Sequence, residues 1–243
     1  MKMNIKSYLG IIFLLSACAA PTASLDIERE QPLSKENFLF YVDETINLHH
    51  SELLTTIQLP SKDYVVPSIL NLLPNASREY RSGTHEGVDF SVPLNGPVTA
   101  VYDGIVIRSN PYHSDVDIDT YNALLATSEG LGKTPDDIYH FILLGKSVVI
   151  DHGYSITSKF RTISVYAHLS NIAEDIVPGT RVEKGMLIGF SGNTGTPDGA
   201  LRNEKGAHLH WEMHFDDTSG RYFLGQNIPS QYLQSNIELL FDQ

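Results

Sequence analysis

The chain has 243 residues, 42% of them hydrophobic and 19% charged, with a formal net charge of −12. That is enough apolar material for one large domain with extensions or for two small ones. The acidic balance argues against a nucleic-acid-binding surface, which is built from clustered Lys and Arg, and suits a protein kept soluble by its own charge.

The chain opens MKMNIKSYLGIIFLLSAC, with Lys2 and Lys6 ahead of a short apolar run from Tyr8 to Leu15. A spanning helix needs about 20 apolar residues, so residues 1–17 read as a secretory signal peptide. Leu15-Ser16-Ala17-Cys18 resembles the bacterial lipobox, in which the cysteine is lipidated and becomes the first mature residue. Cys18 is the sole cysteine, so no internal disulfide can form. The expectation is a lipoprotein of the cell envelope, held to a membrane through Cys18. With Ala19 after the cysteine, a Gram-negative host would place it in the outer membrane, facing the periplasm. Residues 18–33 read as a tether.

Residues 34–61 form an N-terminal segment of irregular apolar spacing, with Ser34 as a candidate helix cap. From residue 62 to residue 243 the language changes. Short β runs punctuated by Gly follow one another: YVVPSI, HEGVDFSVP, TAVYDGIVIRS turning at Asp103-Gly104, KSVVIDHGY, TISVYAHLS, RVEKGMLIGF and AHLHWEMHF. Without βα alternation, this predicts a mainly β domain with an antiparallel sheet. Residues 110–146 break the pattern and predict an inserted helical hairpin. Asp119 would cap its first helix and Gly130 or Gly132 would close it. Thr134 would cap the second, with Pro135 at the first position and Gly145 at the end. SQYLQSNIELLF predicts a C-terminal helix capped by Ser230.

The chemistry concentrates in AHLHWEMHF. On a strand, His208, His210, Glu212 and His214 share one face, and Leu209, Trp211, Met213 and Phe215 the other. In HEGVDF an extended chain puts His85, Gly87 and Asp89 on one face, and the missing side chain of Gly87 lets two ligands converge. Zinc takes His nitrogen and Asp oxygen, and a catalytic site keeps one position open. His85, Asp89 and one histidine of the H-x-H pair would supply three donors, one of them anionic. Such a site can acidify water and polarise a carbonyl. The other histidine would stand beside the ion, to take a proton or steady an oxyanion. His168, two residues after Tyr166, is expected to present both polar groups to one groove. Glu212 and His214 are read as surface or structural residues, with a partner that orients a ligand imidazole as the alternative, His152 as structural, and His49, His50, His113 and His140 as non-ligands.

Together, His85 and Asp89 in HEGVDF, His168 in VYAHLS, the turn GFSGNTG and AHLHWEM resemble the lysostaphin-type (LytM-like) zinc metallopeptidases. These enzymes cut peptide bonds in bacterial peptidoglycan. The resemblance spans about residues 65–216, interrupted by the helical insertion and by TPDGALRNEKG. It implies an antiparallel β groove with one Zn2+ on its floor, held by His85, Asp89 and His210. His168 and His208 are implied as non-ligand catalytic histidines, with Tyr166 as an oxyanion donor. Related enzymes are masked by N-terminal segments, which makes residues 34–75 a candidate regulator and Asn75 a candidate inhibitory fourth ligand. The implied partners are peptidoglycan stem peptides, with a D-Ala–diaminopimelate cross-link as target in a Gram-negative host; no regulator is legible. The rival reading is a non-catalytic, wall-binding activator of other hydrolases. Such relatives have lost ligands that are all present here.

Overall fold

The alternating pattern that ends in AHLHWEMHF folds into a seven-stranded sheet in a computed structural model, which describes residues 34–242. The signal peptide, Cys18 and the tether up to residue 33 lie outside the described residues. In chain order the strands that matter are β1 (Val88–Phe90), β2 (Pro97–Thr99), β3 (Gly104–Ser109), β4 (Val148–Gly153) and β5 (Arg161–Ala167). They continue with β6 (Leu169–Ile172), β7 (Arg181–Val182), β8 (Leu187–Ser191), β9 (Leu209–Asp216) and β10 (Arg221–Phe223). The large sheet runs β7-β3-β4-β5-β9-β10, with β1 also on β9, and β6-β8-β2 form a second, three-stranded sheet. The ladders of both sheets are antiparallel, as the sequence predicts.

Strand β9 is clamped from both sides. Its residues 210–216 pair with 167–161 of β5, while on the other edge β1 takes 209–211 and β10 takes 214–216. This register sets His210 directly opposite Asp89. The two faces of β9 bury differently. Leu209, Trp211, Met213 and Phe215 join the main core with Val88, Phe90 and Tyr166. On the opposite face Val149, Ile163, Val165 and Ala167 form a smaller cluster, roofed by Leu144 and Tyr139 of the insertion.

The insertion between β3 and β4 is helical, but its caps differ from the prediction. Helix α1 (Ile118–Leu131) is capped by Asp117, whose carboxylate accepts the amides of Asp119 and Thr120; Gly132 closes it in the left-handed region, at φ 67°. Asp119 sits in the first turn instead, where a carboxylate favours the positive end of the helix. The second arm is a short helical turn, Asp136–Ile138, running into a π turn over Tyr139–Leu143. Thr134 does not cap it: the hydroxyl donates to the Arg81 carbonyl. Helix α2 (Ser230–Glu238) closes the chain and starts after Pro229 rather than from a side-chain cap.

Residues 35–61 are not a separate unit from the strands that follow. The compact unit begins at Lys35. Phe40 stacks on Phe215 and Tyr222 at 5.2 and 5.1 Å, and the Ile57 amide donates to the Leu240 carbonyl at 2.9 Å. The exposed back of a sheet needs an apolar cover, and residues 35–61 supply part of it.

Candidate metal centre

His85, just before β1, donates its Nδ1–H to the Leu73 carbonyl at 2.9 Å. That fixes the tautomer and leaves Nε2 to face Asp89. His85 Nε2 lies 3.0 Å from Asp89 Oδ1 and 3.1 Å from His210 Nδ1, and His210 Nδ1 lies 2.8 Å from the same carboxylate oxygen. The three donor atoms thus converge on one point, all within 4.8 Å of one another. Gly87 makes the approach possible: a Cβ there would stand 2.6 Å from the Trp211 carbonyl oxygen and 2.8 Å from His210 Cε1.

The donor set suits zinc. Bonds of about 2.0–2.2 Å hold tetrahedral ligand atoms roughly 3.4 Å apart, so the triad would open by only a few tenths of an ångström. Two neutral imidazoles and one carboxylate would hold the ion with one position to spare, and Asp89 and His210 line a cleft of about 290 Å³. Without an ion the charges settle among themselves. Burial would raise the Asp89 carboxyl, but the hydrogen bond from His210 and the neighbouring imidazole charge outweigh it and hold the group well below the carboxylate range. Burial likewise lowers His85. For His210 burial is overcome by hydrogen bonds to Asp89 and Glu212, and the ring is pushed up to about 9.

His168 and His208 flank this cluster, their rings 4.8 Å apart and His168 5.5 Å from His210. Each has one nitrogen anchored. His168 Nδ1 donates to the Thr194 carbonyl at 2.8 Å, and His208 Nδ1 to the Gly206 carbonyl at 2.7 Å. Their Nε2 atoms are left for the cleft, and His208 Nε2 lies 3.7 Å from Asp89 Oδ1. Burial, then the neighbouring His208 and His210, push His168 well below its ordinary value, so it stays neutral.

The sequence profile of Peptidase family M23 matches residues 83–221, more than half of the chain and the whole of this cluster. The chain belongs to Peptidase family M23. It is 30% identical over 135 residues to the peptidoglycan DD-endopeptidase ShyA of Vibrio cholerae, covering 55% of this chain and 21% of that protein. The chain therefore spans about a fifth of that relative's length. Similar solved structures include a zinc-containing peptidase from Vibrio cholerae, at 20% identity over 70% of this chain and 39% of that one, with a TM-score of 0.43. The catalytic domain of lysostaphin from Staphylococcus simulans is another, at 21% identity over 58% and 76%, with a TM-score of 0.34.

Three side chains around this cluster carry more than their sequence context suggests. Glu212 is buried, not at the surface: Oε1 accepts from His210 Nε2 at 2.8 Å and Oε2 from His214 Nε2 at 2.7 Å. Burial would raise this carboxyl, but the two imidazoles hold it well below its ordinary value. Tyr139, from the insertion, donates its hydroxyl to Glu212 Oε1. Arg78 donates to Asp89 Oδ2 at 3.3 Å, which leaves Oδ1 for the cluster. Strand alternation places Glu212 on the polar face, and nothing local marks Arg78 or Tyr139.

Two expected residues are elsewhere. Tyr166 does not face the cleft. It is fully buried in the core, its hydroxyl accepting from the Val101 amide at 2.9 Å and from Ser164 at 3.2 Å. The alternation argument fails because the chain turns at His168 into the left-handed region, φ 60°, between β5 and β6. That turn brings His168 to the face of Ala167 and leaves Tyr166 on the other. Asn75 is no fourth ligand: it too is left-handed, φ 68°, and its amide donates to the Gly225 carbonyl at 2.7 Å. Among the described residues, none before Arg78 lines the cleft, so residues 34–75 do not mask it. His152 is structural, as its sequence context predicts, held by the Asp103 carbonyl and Ser164 at 2.8 Å each.

Proposed function

We propose that the chain is a zinc-dependent endopeptidase that hydrolyses peptide cross-links of peptidoglycan. The observation that carries this reading is the convergence of His85, Asp89 and His210 on one point, with two singly anchored histidines beside it. Zinc held there would supply Lewis acidity toward a carbonyl and would acidify the attacking water. The chain's own residues do the rest. His208 and His168 each offer an Nε2 lone pair to the cleft. One takes the proton of the attacking water; the other, after drawing a proton from solvent onto Nε2, steadies the oxygen that gains charge. The Leu73 carbonyl and Glu212 keep the ligand imidazoles of His85 and His210 oriented. The narrow cleft, walled by Tyr80, Tyr121 and Tyr139, suits an extended peptide more than a folded protein. The complete ligand set weighs against a non-catalytic activator. An acyl anchor on Cys18 would hold this cleft beside the wall; mass analysis of the mature N-terminus tests that part separately.

The test is digestion of purified peptidoglycan with and without a chelator, with products read by mass. Cleaved cross-links that vanish with the chelator and return with zinc support the reading, and intact wall at every zinc concentration overturns it. His208→Ala should keep its zinc and lose about 10²–10³ in turnover, the usual cost of one such group. If it stays fully active, the roles assigned to the histidines are wrong.

A further inference from the structure

The polar face of β9 does not end at the metal centre. His214 is four residues beyond His210, about 13 Å along the strand, and opens on a second cavity of about 190 Å³. Ile107, Val149 and Val165 give it apolar walls, and its polar lining is Arg108, His140, His214 and Arg221. No carboxylate is among the residues that line it.

Four nitrogens of that lining are buried with no hydrogen-bond partner: Arg108 Nε and Nη2, His140 Nδ1 and His214 Nδ1. They are four of seven such side-chain atoms among the described residues, so the deficit is concentrated here. Native interiors rarely leave such atoms unmet. Nε and Nη2 are the two parallel donors on one edge of a guanidinium, the pair that meets both oxygens of a carboxylate. Among the described residues no carboxylate hydrogen-bonds to this pair. Glu212 is taken by His210, Tyr139 and His214, and Asp216 by Arg221 at 2.8 Å. Burial accordingly pushes Arg108 below its ordinary value, with the charge of Glu212 opposing only in part. His214 donates its Nε2–H to Glu212, which leaves Nδ1 as an acceptor without a hydrogen-bond partner. Ile107 is 44% exposed and Arg221 is exposed, which gives the cavity a mouth.

We propose that this cavity binds a small carboxylate, with its two oxygens on Arg108 Nε and Nη2, its apolar part against Val149 and Val165, and His140 as a third contact. The site goes beyond the endopeptidase reading, and its occupancy can be measured without any hydrolysis. The carboxylate is either that of a free short-chain acid or the C-terminus of a peptide; both offer the same group.

The test is titration of the mature full chain, loaded with zinc, at constant ionic strength. The probes are sodium propionate, the dipeptide Ala-Ala and Ala-Ala amide, and the readout is the side-chain ¹⁵N signals of Arg and His. Saturable binding with a Kd of about 1–10 mM is expected for propionate, Ala-Ala or both, and none for the amide. Binding of propionate alone marks a pocket for free acids; binding of both marks a pocket for chain ends. Arg108→Leu should weaken binding at least about tenfold, and so should Arg108→Lys, which keeps the charge but not the paired donors. Arg181→Leu, on β7 and away from the cavity, should change nothing, and zinc content should stay constant throughout. Should Arg108→Leu fail to fold, Arg108→Lys decides. The proposal falls if both Arg108 variants bind like the parent, if the amide binds as well as the acid, or if neither acid saturates by about 100 mM.

Discussion

The two faces of β9 are equally hidden from water and are held in opposite ways. On the back, Leu209, Trp211, Met213 and Phe215 are fully buried among apolar neighbours. Their contacts are non-directional, and each removes apolar surface from water at roughly 25 cal/mol per Å². On the front, His210, Glu212 and His214 are 5%, 1% and 4% exposed. Their polar contacts are directional, and the cluster depends on partners arriving from other elements: Asp89 from β1, Tyr139 from the insertion, the Leu73 carbonyl behind His85. Burial alone does not tell stabilising residues from working ones. What separates them is whether a substitution costs stability or costs geometry.

That separation can be broken experimentally, starting with the largest effect. Asp89→Ala removes the only anionic donor of the triad. Zinc content by elemental analysis should fall to background, with peptidase activity down about 10⁴-fold and the fold retained. A zinc-loaded Asp89→Ala protein would mean that the centre lies elsewhere. On the other face, Trp211→Ala should cost about 3–5 kcal/mol in chemical denaturation, with zinc still bound stoichiometrically to whatever fraction folds. Loss of zinc without loss of stability would erase the distinction between the faces. Tyr139→Phe deletes one hydroxyl, which reaches the donor set only through Glu212. It should weaken zinc about tenfold in chelator competition and shift the melting temperature little.

The last effect is a proton count. His210 in the ion-free protein is raised from about 6.5 to about 9. Between those values the folded ring is charged, whereas a ligand nitrogen must be bare. Zinc loading near pH 7.5 should therefore release about one proton, by calorimetry in buffers of different ionisation enthalpy, and the release should fade above about pH 10. The sign for stability follows the same way: what the charged ring contributes to the ion-free fold is complete below about pH 6.5 and is lost as pH rises through about 9. A release that does not change with pH would contradict that assignment.

Much of the fold and of the candidate metal centre is legible in the amino-acid sequence. Period-two alternation in AHLHWEMHF sorts the faces of β9 correctly, because a strand held on both sides cannot slip out of register. The H-x-G-x-D spacing likewise announces a close approach at Gly87. What stays hidden depends on non-local partners. Alternation sends Tyr166 to the cleft because nothing in VYAHLS reveals that the chain turns left-handed at His168 and changes sheets. Glu212 reads first as a surface or structural group, and only second as a partner of a ligand imidazole, because a roof supplied 73 residues away is invisible to a strand pattern. The N-terminal segment reads as separable because the partners of Phe40, namely Phe215 and Tyr222, lie at the far end of the chain.

The carbonyl of Leu73 has a consequence for how this protein could be re-engineered. It anchors the far nitrogen of His85, and it comes from the stretch that looks most like a detachable leader. A chimera joined after that residue would keep all three donors, yet the first imidazole would be left to swivel. Whoever exchanges the front of such a chain must bring along an oxygen for it.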